Sequence, residues 1–167
     1  MMFTCTYRDT EALLQEFYYK VKMRRSIIFG WIGIVLALGC LVMYFISWEW
    51  WDLLVPILGG YYTVTQLIAP WKAVKKDLKA LYYQYDGELP EKVCTVDETG
   101  VTCRLQNEEK VLAFADTLAV IELKRAIVVQ GMETVLILAK EGFAEGEAEK
   151  CLAHIKGSCP NCPHYKR

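Results

Sequence analysis

The residues best suited to chemistry lie near the end of the chain, in the pattern Cys151-x2-His154-x4-Cys159-Pro160-Asn161-Cys162-Pro163-His164. Cys159 and Cys162 have the C-x2-C spacing that lets two thiolates share one zinc ion. Cys151 or His154, together with His164, could complete a set of four ligands. The same spacing also serves a redox dithiol, although no thioredoxin-like βαβ pattern precedes it. An inert terminal segment is the plainer reading, and it leaves the expected cofactor as none, with zinc as the alternative.

No second constellation competes with this one. The sequence contains no Gly-rich phosphate loop, no H-E-x-x-H and no G-x-S-x-G. Both His residues fall within the segment just described. The acids of the soluble domain are scattered at turns and strand ends, and Asp116 reads as a turn residue. The residues therefore point to a protein without enzymatic chemistry.

The elements that position this segment are dominated by an apolar hairpin over 27–71. From Ser26 to Trp48 no residue is charged, and Ile27–Ile46 reads IIFGWIGIVLALGCLVMYFI. At ~1.5 Å per helical residue that run is long enough for the core of a bilayer. After a break over Ser47-Trp48-Glu49-Trp50-Trp51-Asp52, a second uncharged run extends from Leu53 to Trp71. Two spans, 27–47 and 52–71, joined this tightly must be antiparallel. The apolar stretch starts too late and runs too long for a cleaved signal peptide, so it reads as a permanent anchor.

Charge sets the orientation. Lys20, Lys22, Arg24 and Arg25 precede the first span, and Lys72, Lys75, Lys76 and Lys79 follow the second. The connection carries only Glu49 and Asp52. By the positive-inside rule both termini lie in the cytoplasm, which places the protein in the cell's inner membrane as a multi-pass protein. The basic flanks also suit anionic lipid headgroups, but topology alone is reason enough for them. A reducing compartment makes the seven cysteines thiols or metal ligands rather than structural disulfides. Neither span holds an ionisable Asp, Glu, Lys, Arg or His, and two helices are too few for a transport path. Gly33, Ala37 and Cys40 share one face of the first span, suited to close packing within the hairpin or to a homodimer.

The flanking segments organise around this hairpin. Residues 1–26 hold a short strand and an amphipathic helix, with Leu13, Leu14, Phe17, Tyr18 and Val21 at helical spacing. No breaker separates that helix from the first span, so one helix from Thr10 to Ser47 is expected. Residues 72–87 continue the second helix to about Tyr85 as a stalk, ending at Asp86-Gly87-Glu88-Leu89-Pro90. From 88 to 157 the period changes to two. Val93–Val96 and Val101–Leu105 flank the turn Asp97-Glu98-Thr99-Gly100, and this register sets Cys94 opposite Cys103 as two reduced, buried thiols. Further strands are expected over 110–115, 118–123, 127–130 and 134–139, then a helix over 145–156. The fold class is thus a membrane α-helical hairpin plus an α+β domain, an antiparallel small barrel or roll closed by a C-terminal helix. Residues 158–167 form a Cys/Pro-rich tail. The domain over 88–157 has thirteen acidic and eight basic residues, a balance of −5 that argues against a nucleic-acid partner.

The chain resembles the YcxB-like family of small bacterial membrane proteins over nearly its whole length. The resemblance lies in the Thr/Asp-rich start before an amphipathic helix, the two-span hairpin, and Val96-Asp97-Glu98-Thr99-Gly100-Val101. It continues through Phe114-Ala115-Asp116-Thr117-Leu118, Ile127-Val128-Val129, Val135-Leu136-Ile137-Leu138 and Phe143. Where the family often has Ile-Pro after the last strand, this chain has Leu138-Ala139. The resemblance implies a pleckstrin-homology-like fold for the cytoplasmic domain and assigns no chemistry. Phosphoinositide binding at the first hairpin loop is disfavoured, since Asp97 and Glu98 repel phosphate. A non-enzymatic membrane protein whose cytoplasmic domain serves regulation or scaffolding, with the bilayer and a cytoplasmic protein as partners, is the leading expectation. A metal- or thiol-responsive membrane sensor built on the terminal cysteines is the alternative.

Overall fold

The computed structural model describes residues 2–47, 49–106, 108–160 and 162–167, with the side chains of Ser47, Trp51, Asp52 and Val55 also outside the description. Trp48, part of the expected interhelical break, therefore lies outside the described residues. The chain divides into two compact units. One combines the N-terminal residues through Leu14 with Lys79–Arg167. The other is Gln15–Leu78.

The first unit is α+β. Strand β1, Phe3–Arg8, buries Phe3, Cys5 and Tyr7 and exposes the residues between them, the alternation of a half-covered strand. It pairs antiparallel with β2, Glu91–Val96, from Phe3 opposite Val96 to Arg8 opposite Glu91. The sequence reading set 1–26 apart from the domain over 88–157. The pairing corrects this: the domain's first strand is separated from its second by the whole helical segment. β3, Gly100–Leu105, and β4, Glu108–Ala113, complete a four-stranded antiparallel sheet in the order β1-β2-β3-β4. The expected register, Val96 opposite Val101 and Cys94 opposite Cys103, is observed. Gly100 is required there, because a Cβ would stand 2.4 Å from the Leu112 carbonyl oxygen on the next strand.

A second sheet has the order β7-β6-β5-β8. β5, Ala119–Glu122, β6, Ala126–Gln130, and β7, Val135–Ala139, form an antiparallel meander. The four residues Ala126–Val129 are all buried, as in a strand covered on both faces. The sheets meet along β1 and β7, where the Cys5 thiol donates to the Ala139 carbonyl at 3.1 Å and the Tyr7 hydroxyl donates to the Ile137 carbonyl. Helix α1, Glu11–Phe17, begins under a hydrogen bond from the Leu13 amide to Thr10 Oγ1, 3.3 Å long. Helix α4, Glu147–Ser158, buries Cys151, Leu152 and Ile155. Its His154 ring packs 5.7 Å from Phe3 and 6.2 Å from Phe114, and its Nε2 meets the Asp97 carbonyl oxygen at 2.9 Å. The helix thus covers the end of the first sheet that carries the β2–β3 turn.

Two further expectations about this unit are corrected. Cys94 and Cys103, read as reduced thiols, are joined by a disulfide. Their directly opposed register places the sulfurs together. The tail over 158–167 is structured where described: β8, His164–Lys166, pairs in parallel with β5.

In the second unit the expected single helix from Thr10 to Ser47 is broken. After α1 comes one π-helical turn, Tyr18–Lys22, closed by the Met23 amide donating to the Tyr18 carbonyl at 2.8 Å. That turn carries Tyr18, whose hydroxyl donates to the Asp77 carboxylate. Helix α2, Arg24–Ser47, and helix α3, Trp51–Gln84, follow. α3 keeps Pro56 and Pro70 within it. A Cβ on Gly30 would meet the Leu67 side chain at 3.1 Å, and one on Gly33 the Thr63 Oγ1 at 2.3 Å. As α2 advances from Gly30 to Gly33, its neighbours on α3 run back from Leu67 to Thr63, so the two helices are antiparallel.

Candidate functional site

The terminal cysteines are held by the end of α4 and by a short 3₁₀ turn, Phe114–Asp116, that links β4 to β5. Asp116 lies in that turn, as its reading as a turn residue required. The Cys159 amide donates to the Ile155 carbonyl at 3.0 Å, finishing α4, and the Cys162 amide donates to the Cys159 carbonyl at 3.1 Å, closing a tight turn. Pro160, with its fixed φ, occupies the second position of that turn, where proline is favoured. Cys159 is buried. Its thiol donates to the Phe114 carbonyl at 3.8 Å. Cys162 is half-buried, and its thiol donates to the Thr117 carbonyl at 2.8 Å. Thr117, itself buried, also donates its hydroxyl to the Ala113 carbonyl at 3.2 Å. Burial, followed by the neighbouring Cys162, pushes the Cys159 thiol up to about 11.

The five candidate zinc ligands, Cys151, His154, Cys159, Cys162 and His164, are not assembled. Cys151 is fully buried beneath α4, where desolvation and then the Glu147 charge push its thiol up to about 12. His154 is engaged with the Asp97 carbonyl and the rings of Phe3 and Phe114. His164 is exposed on β8. Among the described residues no three His, Cys, Asp or Glu side chains converge as metal ligands. The apolar periodicity of α4 explains this: it turns Cys151 inward with Leu152 and Ile155, while the turn after the helix aims Cys159 and Cys162 at the 114–117 segment.

The apolar surface lies elsewhere. Among the described residues one helical stretch, Arg24–Ile46, is long and apolar enough to cross a membrane, and almost none of it is buried. Phe29, Trp31, Val35, Leu36, Val42 and Phe45 are all exposed. The half-buried residues Gly33, Ala37, Cys40 and Tyr44 share the remaining face, at helical spacing. The basic flanks lie in the π-helical turn, the start of α2 and the later part of α3. Arg24, Arg25, Lys22, Lys72, Lys75, Lys76 and Lys79 are exposed, and Lys20 is half-buried, 3.0 Å from Glu16. Lys75 lies over the Trp71 ring at 4.0 Å, and Lys79 over Tyr83 at 5.7 Å. Long side chains of this kind cover apolar surface while their charges stay in water.

Two polar clusters escaped the sequence reading. Lys140 and Lys156 reach Glu122 at 3.1 and 3.8 Å, and Lys166 adds its charge. Burial opposes ionisation of Glu122, but the Lys140 hydrogen bond and the three lysines outweigh it and hold the carboxyl below its usual range. These residues come from β5, the 3₁₀ turn that follows β7, α4 and β8, so no local pattern could announce them. Near the start of β2, Lys92 pairs with the buried Asp9 at 2.5 Å. It borders a cleft of about 110 Å³ with Tyr7, Cys103, Leu105, Glu108 and Lys110. That volume lies well below the range of ~300–1,000 Å³ usual for small-molecule sites. In the β2–β3 turn, Asp97 accepts hydrogen bonds from the Thr99 hydroxyl and the Thr99 and Gly100 amides, which hold its carboxyl below the usual range.

These features define an α+β domain with a pair of antiparallel helices spliced in after its first strand, one of them of membrane-crossing length. No family model, curated protein or solved structure matches the chain.

Proposed function

We propose that this chain is a non-enzymatic integral protein of the bacterial inner membrane, of the YcxB-like kind. It crosses the bilayer twice and presents a pleckstrin-homology-like module in the cytoplasm for regulatory or scaffolding contacts with a protein partner. The observation that carries this reading is the pairing of β1 with β2. Strands that share hydrogen bonds lie on one side of a membrane. The chain between them, from Asp9 to Pro90, therefore crosses an even number of times. α2 is the first crossing, and the antiparallel α3 is the return. The exposed Leu54, Ile57, Leu58, Val64 and Ile68 give α3 an apolar surface to set against lipid. Basic residues at both flanks put the paired strands in the cytoplasm. Strand order supports the module's kinship: four antiparallel strands, a three-stranded antiparallel meander, and a helix over one end. The close approach of Gly33 to Thr63 favours the small-residue face as hairpin packing over a homodimer contact.

The test has two arms. Reporters active on only one side of the membrane, fused at either end, should both report the cytoplasm, and carbonate washing should leave the protein in the membrane. Opposite sides, or release by carbonate, would refute the two-span topology. Proximity labelling from the C-terminal end should then enrich a cytoplasmic protein that the hairpin alone does not. Equal labelling by both would remove the interaction module while leaving the topology intact.

A further inference from the structure

We infer that Cys159 and Cys162 form a reversible dithiol–disulfide pair whose oxidation releases strand β8 from the edge of β5. This goes beyond the membrane topology and holds whether or not the helices enter lipid. The turn closed by the Cys162 amide on the Cys159 carbonyl brings the two residues together. Residues at the ends of such a turn have Cα atoms less than about 7 Å apart, overlapping the separations that a disulfide bridges. Cys162 is half-buried, whereas Cys159 is buried. That is the arrangement of an attacking thiol and a resolving thiol.

The step balances with a small disulfide, of the glutathione type, as oxidant. The Cys162 thiol gives its proton to water, and its thiolate attacks one sulfur of that disulfide, expelling the other half as a thiolate. The Cys159 thiol then gives up its proton and attacks Cys162 Sγ, expelling the second half. The two released thiolates take up the two protons. The protein loses two hydrogens and gains an S–S bond, and the oxidant becomes two thiols.

The consequence for β8 follows from what holds it. Cys162 adjoins Pro163, whose carbonyl accepts the Val120 amide at 3.1 Å, and the Arg167 amide donates to the Glu122 carbonyl at 2.9 Å. His164, Tyr165 and Lys166 are all exposed, so β8 is held by its backbone with little side-chain burial. Its approach is fixed by two S–H donors, Cys159 to Phe114 and Cys162 to Thr117. A disulfide has no S–H. Oxidation removes both donors at once, leaves the Thr117 carbonyl without its thiol partner and the Phe114 carbonyl with the Thr117 amide alone, and turns both sulfurs toward each other and away from the 114–117 segment. A three-residue strand cannot offset that loss.

The test uses the full chain in detergent micelles, poised with reduced and oxidised glutathione. Differential alkylation and mass spectrometry read the Cys159–Cys162 bond, and hydrogen exchange reads the Val120 and Arg167 amides. Oxidation should form the bond and speed exchange at both amides by about tenfold or more, the change expected from losing one net hydrogen bond. Thiol reductant should restore both. A Cys159→Ser/Cys162→Ser variant should show no change on oxidation, although it retains Cys94 and Cys103. Failure of the bond to form overturns the inference, and so does its formation without faster exchange. Equal acceleration in the double variant would assign the effect to other cysteines and overturn it as well.

Discussion

Replacing Phe3 by Ala tests whether a strand at the start of the chain belongs to the core of a domain formed mostly after residue 79. Phe3 is 7 % exposed, and its ring packs 5.7 Å from that of His154 on α4. Truncating a buried Phe to Ala costs about 3–5 kcal/mol through lost burial and the cavity left behind. A domain of this size has about 5–15 kcal/mol in total, so the loss is a large share. The reporter is Cys151, fully buried on α4 and remote from Phe3 in sequence. Where alkylation follows reversible opening, its rate scales with the open population. The loss then predicts labelling about 10² to 10⁴ times faster. Met2→Ala is the control, since Met2 is 73 % exposed and should leave the rate unchanged. If Cys151 in the Phe3→Ala protein labels no faster than in the parent, β1 is not part of this core. The even-crossing argument would then fall with it.

Lys92→Met leaves the buried Asp9 carboxylate without its cation, and Asp9 Oδ1 already has no protein partner. The expected loss is about 3 kcal/mol, read by the same Cys151 labelling, and Asp9→Asn on top of Lys92→Met should recover part of it. Glu122→Gln should cost about 1 kcal/mol at pH 7. The folded carboxyl is held below its usual range, so its contribution is present above the unfolded value and is lost as pH falls through the folded one. Denaturant midpoints of parent and variant should therefore converge in acid, and a gap that persists there would exclude Glu122 as the source. A Cβ on Gly33 would lie 3.6 Å from Thr63 Cβ, within the range for disulfides. Gly33→Cys with Thr63→Cys should thus cross-link within one chain on a non-reducing gel, and a covalent dimer would instead make this face a contact between copies.

What could be read in the sequence was local. The register of the β2–β3 hairpin was legible, though β2 starts two residues and β3 one residue earlier than expected, because alternation and a turn ending in Gly100 fix the pairing. The end of the second helix near Tyr85 was legible because a periodic apolar stripe ran into Asp86-Gly87, and α3 ends at Gln84. The role of β1 was not, because its partner lies beyond two helices and strand pairing leaves no mark on sequence separated that far. β8 is three residues without alternation, held by backbone bonds that any sequence could make. Register put Cys94 beside Cys103, but the expectation of a reducing compartment argued against the bond between them. Of the candidate ligands, only the C-x2-C pair stayed together, because a turn enforces its proximity, whereas Cys151 is buried beside Leu152 and Ile155 and the His154 ring is taken up by Phe3, Phe114 and the Asp97 carbonyl.

Splicing a helical hairpin between two paired strands is geometrically undemanding. An antiparallel helix pair begins and ends at the same end, and an antiparallel strand pair needs its two connections only at adjacent residues, here Arg8 and Glu91. The cost lies in folding order. β1 is synthesised before α2 and α3, and its partner β2 only after them. Until then the apolar face of Phe3, Cys5 and Tyr7 has no sheet to cover it. Pairing across so long a separation is slow when the intervening chain is loose, because loop closure must precede any gain. A preformed hairpin removes that penalty by returning the chain to its starting point before β2 exists. Formation of the α2–α3 pair should therefore precede closure of the sheet, and a change that splays the helices should slow β1 docking more than it weakens the folded domain.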